Sequence, residues 1–221
     1  MSQLTLQESD EALARFFISD MYRLGSVLRW RTGEDLKFRS LEDWQSMKED
    51  LLQHGAAMAI MHNMIRLQAE YEGDDSVTGL DQRMINAMIL YHDHAEILAG
   101  DIKHKTADYR QREEKARRII RQRVTYLPPE LCAFLHEAEA VYEEKNEPWT
   151  WYVKALDEMQ AWTYLLFLNR VDEARRVFEN LDENKGYQLA QHFPILQRLS
   201  QVLLRLMYEA REKQNSAPQG F

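Results

Sequence analysis

The amino-acid sequence predicts an all-α protein. Glycine and proline, which interrupt helices, number only eight and five among 221 residues. Apolar residues recur at i, i+3, i+4 and i+7 along several long segments, which is the pattern of amphipathic helices. Runs of β-branched residues, which favour strands, are scarce. We therefore expect the chain to be helical throughout.

The individual helices are predicted from their start and stop signals. The first spans about Ser9 to Leu28, and the second opens at the capping-box sequence Ser40-Leu-Glu-Asp43 and reaches about Tyr71. Residues 72–79 are predicted to be a loop, because Gly and Asp are frequent there and periodicity is absent. Later helices are expected over residues 80–99 (with Gly100 as the stop), 109–126, 128–145, 149–168, 171–181 and 194–213.

The chain is predicted to fold as one domain. No internal repeat is visible, and no stretch rich in Gly, Ser or Pro separates one part of the chain from another. We therefore expect a single domain over residues 1–213, followed by a disordered tail over residues 214–221.

Charge and cysteine content exclude several classes of protein. The 28 Lys and Arg against 36 Asp and Glu give a net charge of −8, and stable nucleic-acid binding is not expected because it depends on phosphate neutralisation. Cys132 is the only cysteine, so no intramolecular disulfide is expected and a reducing compartment is favoured. The N-terminus lacks the features of a signal peptide, and no apolar run is long enough to span a membrane. We expect a cytoplasmic protein without membrane partners.

Three predicted helices carry an ionisable side chain on a face that is otherwise apolar. Burying such a group is costly unless it is paired or coordinates a metal. The first stripe contains Leu51, His54, Met58, Met61 and Ile65; the second contains Ile85, Met88, Ile89, His92 and Glu96, with Asp93 at its edge; the third contains Val153, Asp157, Ala161, Tyr164 and Leu168.

Each of these polar residues has a structural alternative when it is considered alone. A histidine on an apolar face is commonly a core residue with satisfied hydrogen bonds, and a buried aspartate commonly caps a helix or pairs with an arginine. Taken together, His54, His92, Asp93 and Asp157 supply two imidazoles and two carboxylates from three helices. Such a set suits a divalent transition metal, with positions left for water and substrate.

The same residues resemble a known family. His54, the adjacent pair His92-Asp93 and the distant Asp157 are similar to the signature of the HD-domain metal-dependent phosphohydrolases. Within that superfamily, the segment YHDHAEILAGD, the segment VKALDEMQAW and the pair Arg29-Trp30 resemble the bacterial 5′-deoxynucleotidases. The similarity implies a single HD-domain helical bundle with a metal site between helices.

The resemblance also implies a role for each matching residue. His54, His92, Asp93 and Asp157 would hold one divalent metal, namely Co, Mn, Fe or Zn, with Mg also possible. Glu96 and Asp101 would be catalytic, the first by handling a proton and the second by positioning the attacking water. Substrate binding would involve Arg29 on the phosphate, Trp30 as the group that excludes a 2′-hydroxyl, and either Lys103 or Lys105 as a further cation.

The resulting hypothesis is a 5′-deoxynucleotidase that removes phosphate from deoxyribonucleoside 5′-monophosphates, and the resemblance implies a homodimer. Two alternatives stay open. The loop after Asp101 reads IKHKTAD, without the family's usual proline, and nine Lys or Arg residues lie between Lys103 and Arg123. These features fit an HD-domain nucleoside triphosphate hydrolase, or a phosphatase of another small metabolite. The other alternative is a non-catalytic regulatory protein with an HD scaffold.

Overall fold

Helices are the regular secondary structure of the described chain, as the sequence predicts. A computed structural model describes residues 6–15, 51–92, 111, 114–119, 128–144, 147–169 and 184–216. No strand occurs within these ranges, and none of their helices is long and apolar enough to cross a membrane. The helices are α1 (Leu6–Arg15), α2 (Leu51–Glu72), α3 (Asp75–Thr78), α4 (Gln82–Tyr91), α5 (Pro129–Glu144), α6 (Pro148–Phe167), α7 (Lys185–Ala190) and α8 (Pro194–Ser216).

The long helices lie where periodicity predicts them. α2 ends at Glu72, next to the predicted end at Tyr71, and α6 is displaced by a single residue from the predicted 149–168. α8 continues to Ser216, beyond the predicted end at Lys213. The rest of the predicted tail, the predicted helix over 171–181, residues 16–28 of the first helix and the capping box at 40–43 lie outside the described residues.

Two short helices are not predicted by periodicity, and side-chain caps explain both. α3 lies within the segment 72–79, so the prediction of a loop there is wrong for Asp75–Thr78. The Asp74 carboxylate accepts the Ser76 N–H at 2.9 Å, and the Asn184 side chain accepts the Tyr187 N–H at 2.8 Å. Such caps satisfy N–H groups that have no partner within the first turn of a helix.

Tertiary contacts group the chain into two compact units. The first comprises residues 1–79 and 154–221, and the second comprises residues 80–153. α1, α2, α3, α7 and α8 belong to the first unit, α4 and α5 belong to the second, and α6 begins in the second and continues into the first. The extent of a single domain over residues 1–213 stays a prediction.

The first unit buries one face of each of its long helices. α2 buries Met58, Met61 and Ile65, which confirms these three positions of the predicted stripe, and His54 is partly buried. α8 packs against α1 and α7. The buried apolar residues include Met58, Met61, Ile65 and Ala69 of α2, Leu156, Met159 and Trp162 of α6, and Ile195, Leu196, Leu199 and Leu203 of α8.

A buried ion-pair network joins α1, α2 and α8 within this unit. Arg198 Nε lies 2.7 Å from Asp10 Oδ2, and Arg198 Nη2 lies 2.5 Å from Glu72 Oε2. The side chains of Asp10 and Glu72 are only 3% and 7% exposed. Burial raises the pKa of Asp10 although its hydrogen bond to Arg198 acts in the opposite direction. Arg198 therefore compensates two carboxylates that have lost most of their hydration.

Gly186 of α7 allows the side chain of Glu158 to pass close to the α7 backbone. A Cβ atom added to Gly186 would lie 2.1 Å from Glu158 Cγ and 2.5 Å from Glu158 Cβ. These atoms are close to the α6 backbone and cannot move far, so we expect Gly186→Ala to lower the free energy of unfolding by about 1–3 kcal/mol. Urea denaturation measures this cost. It should shrink in a Glu158→Gly background, where both Cβ and Cγ are absent, and an equal cost in both backgrounds would contradict the contact.

The second unit is built on the packing of α4 against α5. The buried residues are Met84, Ile85, Ala87, Met88 and Ile89 of α4 and Leu135, Ala138 and Tyr142 of α5, which confirms the second predicted stripe as far as it is described. The Arg83 guanidinium lies 4.1 Å from the centre of the Phe134 ring, and such a contact is attractive. This packing supports the C-terminal end of α4, where His92 follows.

Candidate metal site

His54 and Asp157, two of the predicted metal ligands, are neighbours in the first unit. α2 carries His54, and α6 carries Asp157 near its middle. His54 Nε2 lies 3.2 Å from Asp157 Oδ1, and the two side chains are 15% and 28% exposed. Both are ligand types for a divalent transition metal, and their ligand atoms lie close enough together to bind one ion. The pair is largely shielded from solvent and still reachable from it.

The second ring nitrogen of His54 determines where the ring carries its proton. Nδ1 lies 2.7 Å from Oε1 of Gln160, a residue that is completely buried. An amide oxygen only accepts hydrogen bonds, so in this orientation of the Gln160 amide Nδ1 would carry the proton and the neutral ring would keep its lone pair on Nε2. That lone pair faces Asp157 Oδ1, which is also an acceptor. Two acceptors in contact require a cation or a second proton between them, and the donor set therefore fits a divalent metal.

Two further charged side chains of α6 flank Asp157. Lys154 Nζ lies 3.8 Å from Asp157 Oδ2, a long separation for an ion pair that is partly exposed to solvent. Burial and the charge of Asp157 raise the pKa of the Glu158 carboxyl, whereas a hydrogen bond from Asn184 and the charge of Lys154 act to lower it. Glu158 therefore takes up a proton more readily than an ordinary glutamate.

The raised pKa of Glu158 predicts how the stability of the metal-free protein depends on pH. The folded state holds this proton more tightly than the unfolded state, in which the pKa is near the ordinary 4.5. The resulting stabilisation is complete below that value and is lost as the pH rises through the folded-state pKa. Urea denaturation with a chelator present should show a smaller loss over this range for Glu158→Gln, which cannot ionise. Parallel pH profiles for the two proteins would contradict the assignment.

His92, a third predicted ligand, ends α4 in the second unit. It is 6% exposed, which confirms its place on the buried stripe. Its Nδ1 lies 3.1 Å from the carbonyl oxygen of Met88 and 3.2 Å from that of Ile89. Because carbonyl oxygens only accept, Nδ1 carries the proton and Nε2 is the nitrogen that can bind a metal. The ring also packs on Tyr142, with 5.4 Å between the ring centres.

The other predicted site residues lie outside the described residues. They are the metal ligand Asp93, the catalytic residues Glu96 and Asp101, and the substrate-binding residues Arg29, Trp30, Lys103 and Lys105. Their roles stay predictions from the sequence.

Gln160 is the neighbour of the site that helical periodicity misses. The predicted stripe of α6 continues from Asp157 to Ala161, but Ala161 is exposed and Gln160 is completely buried. The prediction for Ala161 is therefore wrong, and the buried face includes the residue at i+3 from Asp157. A neutral polar residue between Met159 and the apolar residues that follow was the available signal, because a buried amide needs a partner.

Comparison with known proteins identifies a family model and a related fold. Residues 34–192 match the model described as HD domain, a range that contains His54, His92 and Asp157. No curated protein matches the chain. Among solved structures, the chain is similar to one described as a predicted metal-dependent phosphohydrolase from Magnetospirillum magnetotacticum MS-1. The two share 23% sequence identity with a TM-score of 0.53, over 98% of this chain and 100% of the other. At this identity the likeness shows a common fold.

Proposed function

The chain belongs to the HD-domain family, and on that basis we propose that it is a metal-dependent phosphohydrolase acting on deoxyribonucleoside 5′-monophosphates. The observation that carries the proposal is the contact between His54 Nε2 and Asp157 Oδ1, at 3.2 Å, with Nδ1 held by Gln160. A partly buried imidazole beside a carboxylate, with an acceptor at its other ring nitrogen, is a typical half of a metal-binding set. The description of the related structure as a predicted metal-dependent phosphohydrolase supports the same reaction class.

Four residues would hold the metal. His54 and Asp157 supply one nitrogen and one oxygen, and His92 and Asp93 complete the set that the sequence resemblance implies. We propose a single Mn, Co, Fe or Zn ion, with Mg as a further possibility. A metal held there would polarise the phosphoryl oxygens and make a bound water molecule more acidic.

The protein's own residues would move the protons and orient the water. Water attacks phosphorus as the ester P–O bond breaks, so the products are phosphate and a deoxyribonucleoside. We assign to Glu96 the transfer of the proton from the water to the departing 5′-oxygen. Asp101 would accept a hydrogen bond from the water and align it with the leaving group.

Three kinds of side chain would select the substrate. Arg29 offers a planar guanidinium whose geometry matches phosphate oxygens, and Lys103 or Lys105 adds a second cation. Trp30 would pack against the sugar and leave a 2′-hydroxyl without a hydrogen-bond partner, which disfavours ribose. In this proposal the protein acts in the cytoplasm as a homodimer on a small-molecule nucleotide, without stable partners among membranes or nucleic acids.

A phosphate-release assay on a nucleotide panel tests the proposal. The protein is treated with a chelator, supplied with Mn²⁺, Co²⁺ or Mg²⁺, and assayed with deoxyribonucleoside and ribonucleoside monophosphates. We expect metal-dependent release that is faster from dAMP than from AMP. Equal rates on AMP and dAMP would remove the claim of 2′-discrimination. No release from any monophosphate would contradict the proposed reaction.

A second candidate is hydrolysis of a nucleoside triphosphate, and the basic stretch between Lys103 and Arg123 favours it. Nine Lys or Arg residues there could attract a polyphosphate. Release of triphosphate or pyrophosphate in place of phosphate, from the matching deoxynucleoside triphosphates, would identify this reaction.

A catalytic protein and a regulatory protein on the same scaffold differ in their need for Glu96. We expect Glu96→Gln to lower the rate of phosphate release by about 10²–10⁴-fold, because an amide cannot carry the proton. This variant should still bind metal, as measured by titration calorimetry, which would show that the metal site is intact. A variant with the wild-type rate would contradict the catalytic role.

A further inference from the structure

We propose that Gln160 is a positioning residue of the metal site, which fixes the ring and the proton of His54 so that Nε2 is presented to the metal. The inference deepens the proposed function and rests on it for the identity of the ligand, a divalent transition metal. Gln160 would not touch the metal or the substrate. It would act through its hydrogen bond to His54.

α6 contacts both nitrogens of the same imidazole. Asp157 lies 3.2 Å from Nε2, and Gln160, one turn later on α6, lies 2.7 Å from Nδ1. Residues separated by three positions lie on the same side of a helix. The ring of His54 is thus held at both nitrogens by side chains of one rigid element, which limits its rotation.

The chemistry of Gln160 suits this role better than that of a carboxylate. Gln160 is completely buried, and a buried neutral amide avoids the desolvation cost of a charge. Its oxygen accepts from Nδ1–H, which leaves the lone pair on Nε2. As a neutral group it also adds no negative charge beside Asp157, so the net charge of the metal-binding residues is that of their carboxylates alone.

The opposite orientation of the Gln160 amide is the alternative that the proposal excludes. If Gln160 instead turned its NH₂ group to His54, Nδ1 would be the acceptor and the proton would sit on Nε2, directed at Asp157. That arrangement is a closed hydrogen-bonded pair with no lone pair for a metal. The two orientations therefore predict opposite tautomers of one histidine.

The test combines the tautomer with metal affinity. Nitrogen-15 NMR of the chelated wild type should show a proton on Nδ1 of His54, both in the neutral ring and in the imidazolium that carries a second proton toward Asp157. Calorimetric titration with Mn²⁺ or Co²⁺ should show affinity about 10–100-fold weaker in Gln160→Met, which has similar length and no comparable acceptor. Gln160→Glu, which keeps an acceptor oxygen, should restore most of the affinity. Thr163→Val removes another buried hydrogen bond of α6, from Thr163 Oγ1 to the Gln160 carbonyl at 2.8 Å, and should leave the affinity unchanged.

Several outcomes would overturn the proposal. They are a His54 ring that carries its proton on Nε2 and none on Nδ1 in the wild type, a wild type that binds neither ion, and wild-type affinity in Gln160→Met with a loss of stability alone. The tautomer measurement needs no variant and stands even if Gln160→Met fails to fold. Phosphate release is measured separately, so a chain that binds metal with the expected dependence on Gln160 and hydrolyses no nucleotide would contradict only the proposed function.

Discussion

Asp157→Asn is expected to abolish stabilisation by metal and, with it, metal-dependent phosphate release. A metal present at 100 times its dissociation constant stabilises the wild type by about 2.7 kcal/mol. Loss of a direct ligand should weaken metal binding at least as much as loss of a residue that only orients a ligand. We therefore expect the metal affinity to fall by more than about 100-fold. At the same metal concentration the stabilisation would then be about 0.4 kcal/mol or less.

Urea denaturation with Mn²⁺ or Co²⁺, and again with a chelator, measures this difference. Asp75→Asn is a matched control, since Asp75 is exposed in α3 and the same charge is removed away from the site. The control should keep the wild-type stabilisation by metal. If Asp157→Asn kept it as well, Asp157 would not be a ligand.

Arg198→Met is expected to cause a large loss of stability. It would leave Asp10 and Glu72 buried without their shared cation, and breaking a buried ion pair in this way costs about 3–5 kcal/mol. The pKa of Asp10 is already raised by burial, so protonation relieves part of the cost. We therefore expect a larger loss at neutral pH than at mildly acidic pH.

Arg205→Met is the matched control for Arg198→Met. Arg205 lies two turns later on α8 and contacts Glu11 at 2.6 Å, but this pair is 41% and 31% exposed. Solvent screening makes such pairs weak, so the control should lose much less stability. Equal losses in the two variants, measured by urea denaturation, would contradict the importance of burial in the Arg198 network.

The sequence predicts best the features that depend on local periodicity. His54 and His92 interrupt apolar stripes at helical spacing, and their partial or complete burial follows from the faces they occupy. The helix that carries Asp157 is predicted within one residue of its bounds. The all-helical fold is confirmed, because each of these patterns has the period of an α-helix.

Features that depend on the exact phase of a helix or on long-range contacts are missed. With 3.6 residues per turn, either the residue at i+3 or the residue at i+4 from Asp157 can lie on the buried face. Gln160 occupies that face, where Ala161 was expected. Arg198 and Asp10 are separated by 188 positions, so no local pattern connects them. α3 and α7 are too short for periodicity and depend on the caps Asp74 and Asn184.

The tautomers of the two histidines also could not be predicted from the sequence. Each is determined by the acceptor near Nδ1, which is Gln160 for His54 and backbone carbonyls for His92. With an acceptor at Nδ1, both arrangements would leave the lone pair of the neutral ring on Nε2. This shared feature makes His92, which is buried, and His54, which is partly buried, candidates for metal ligands in place of ordinary core residues.

The most direct test of the central claim is a metal titration of the chelated protein in which phosphate release from dAMP is measured at each step. We predict that activity is absent after chelation, rises in proportion to added Co²⁺ or Mn²⁺, and saturates at about one ion per chain, as expected for a catalytic metal. Activity that survives chelation, or one bound ion without any phosphate release, would contradict the assignment of a metal-dependent phosphohydrolase.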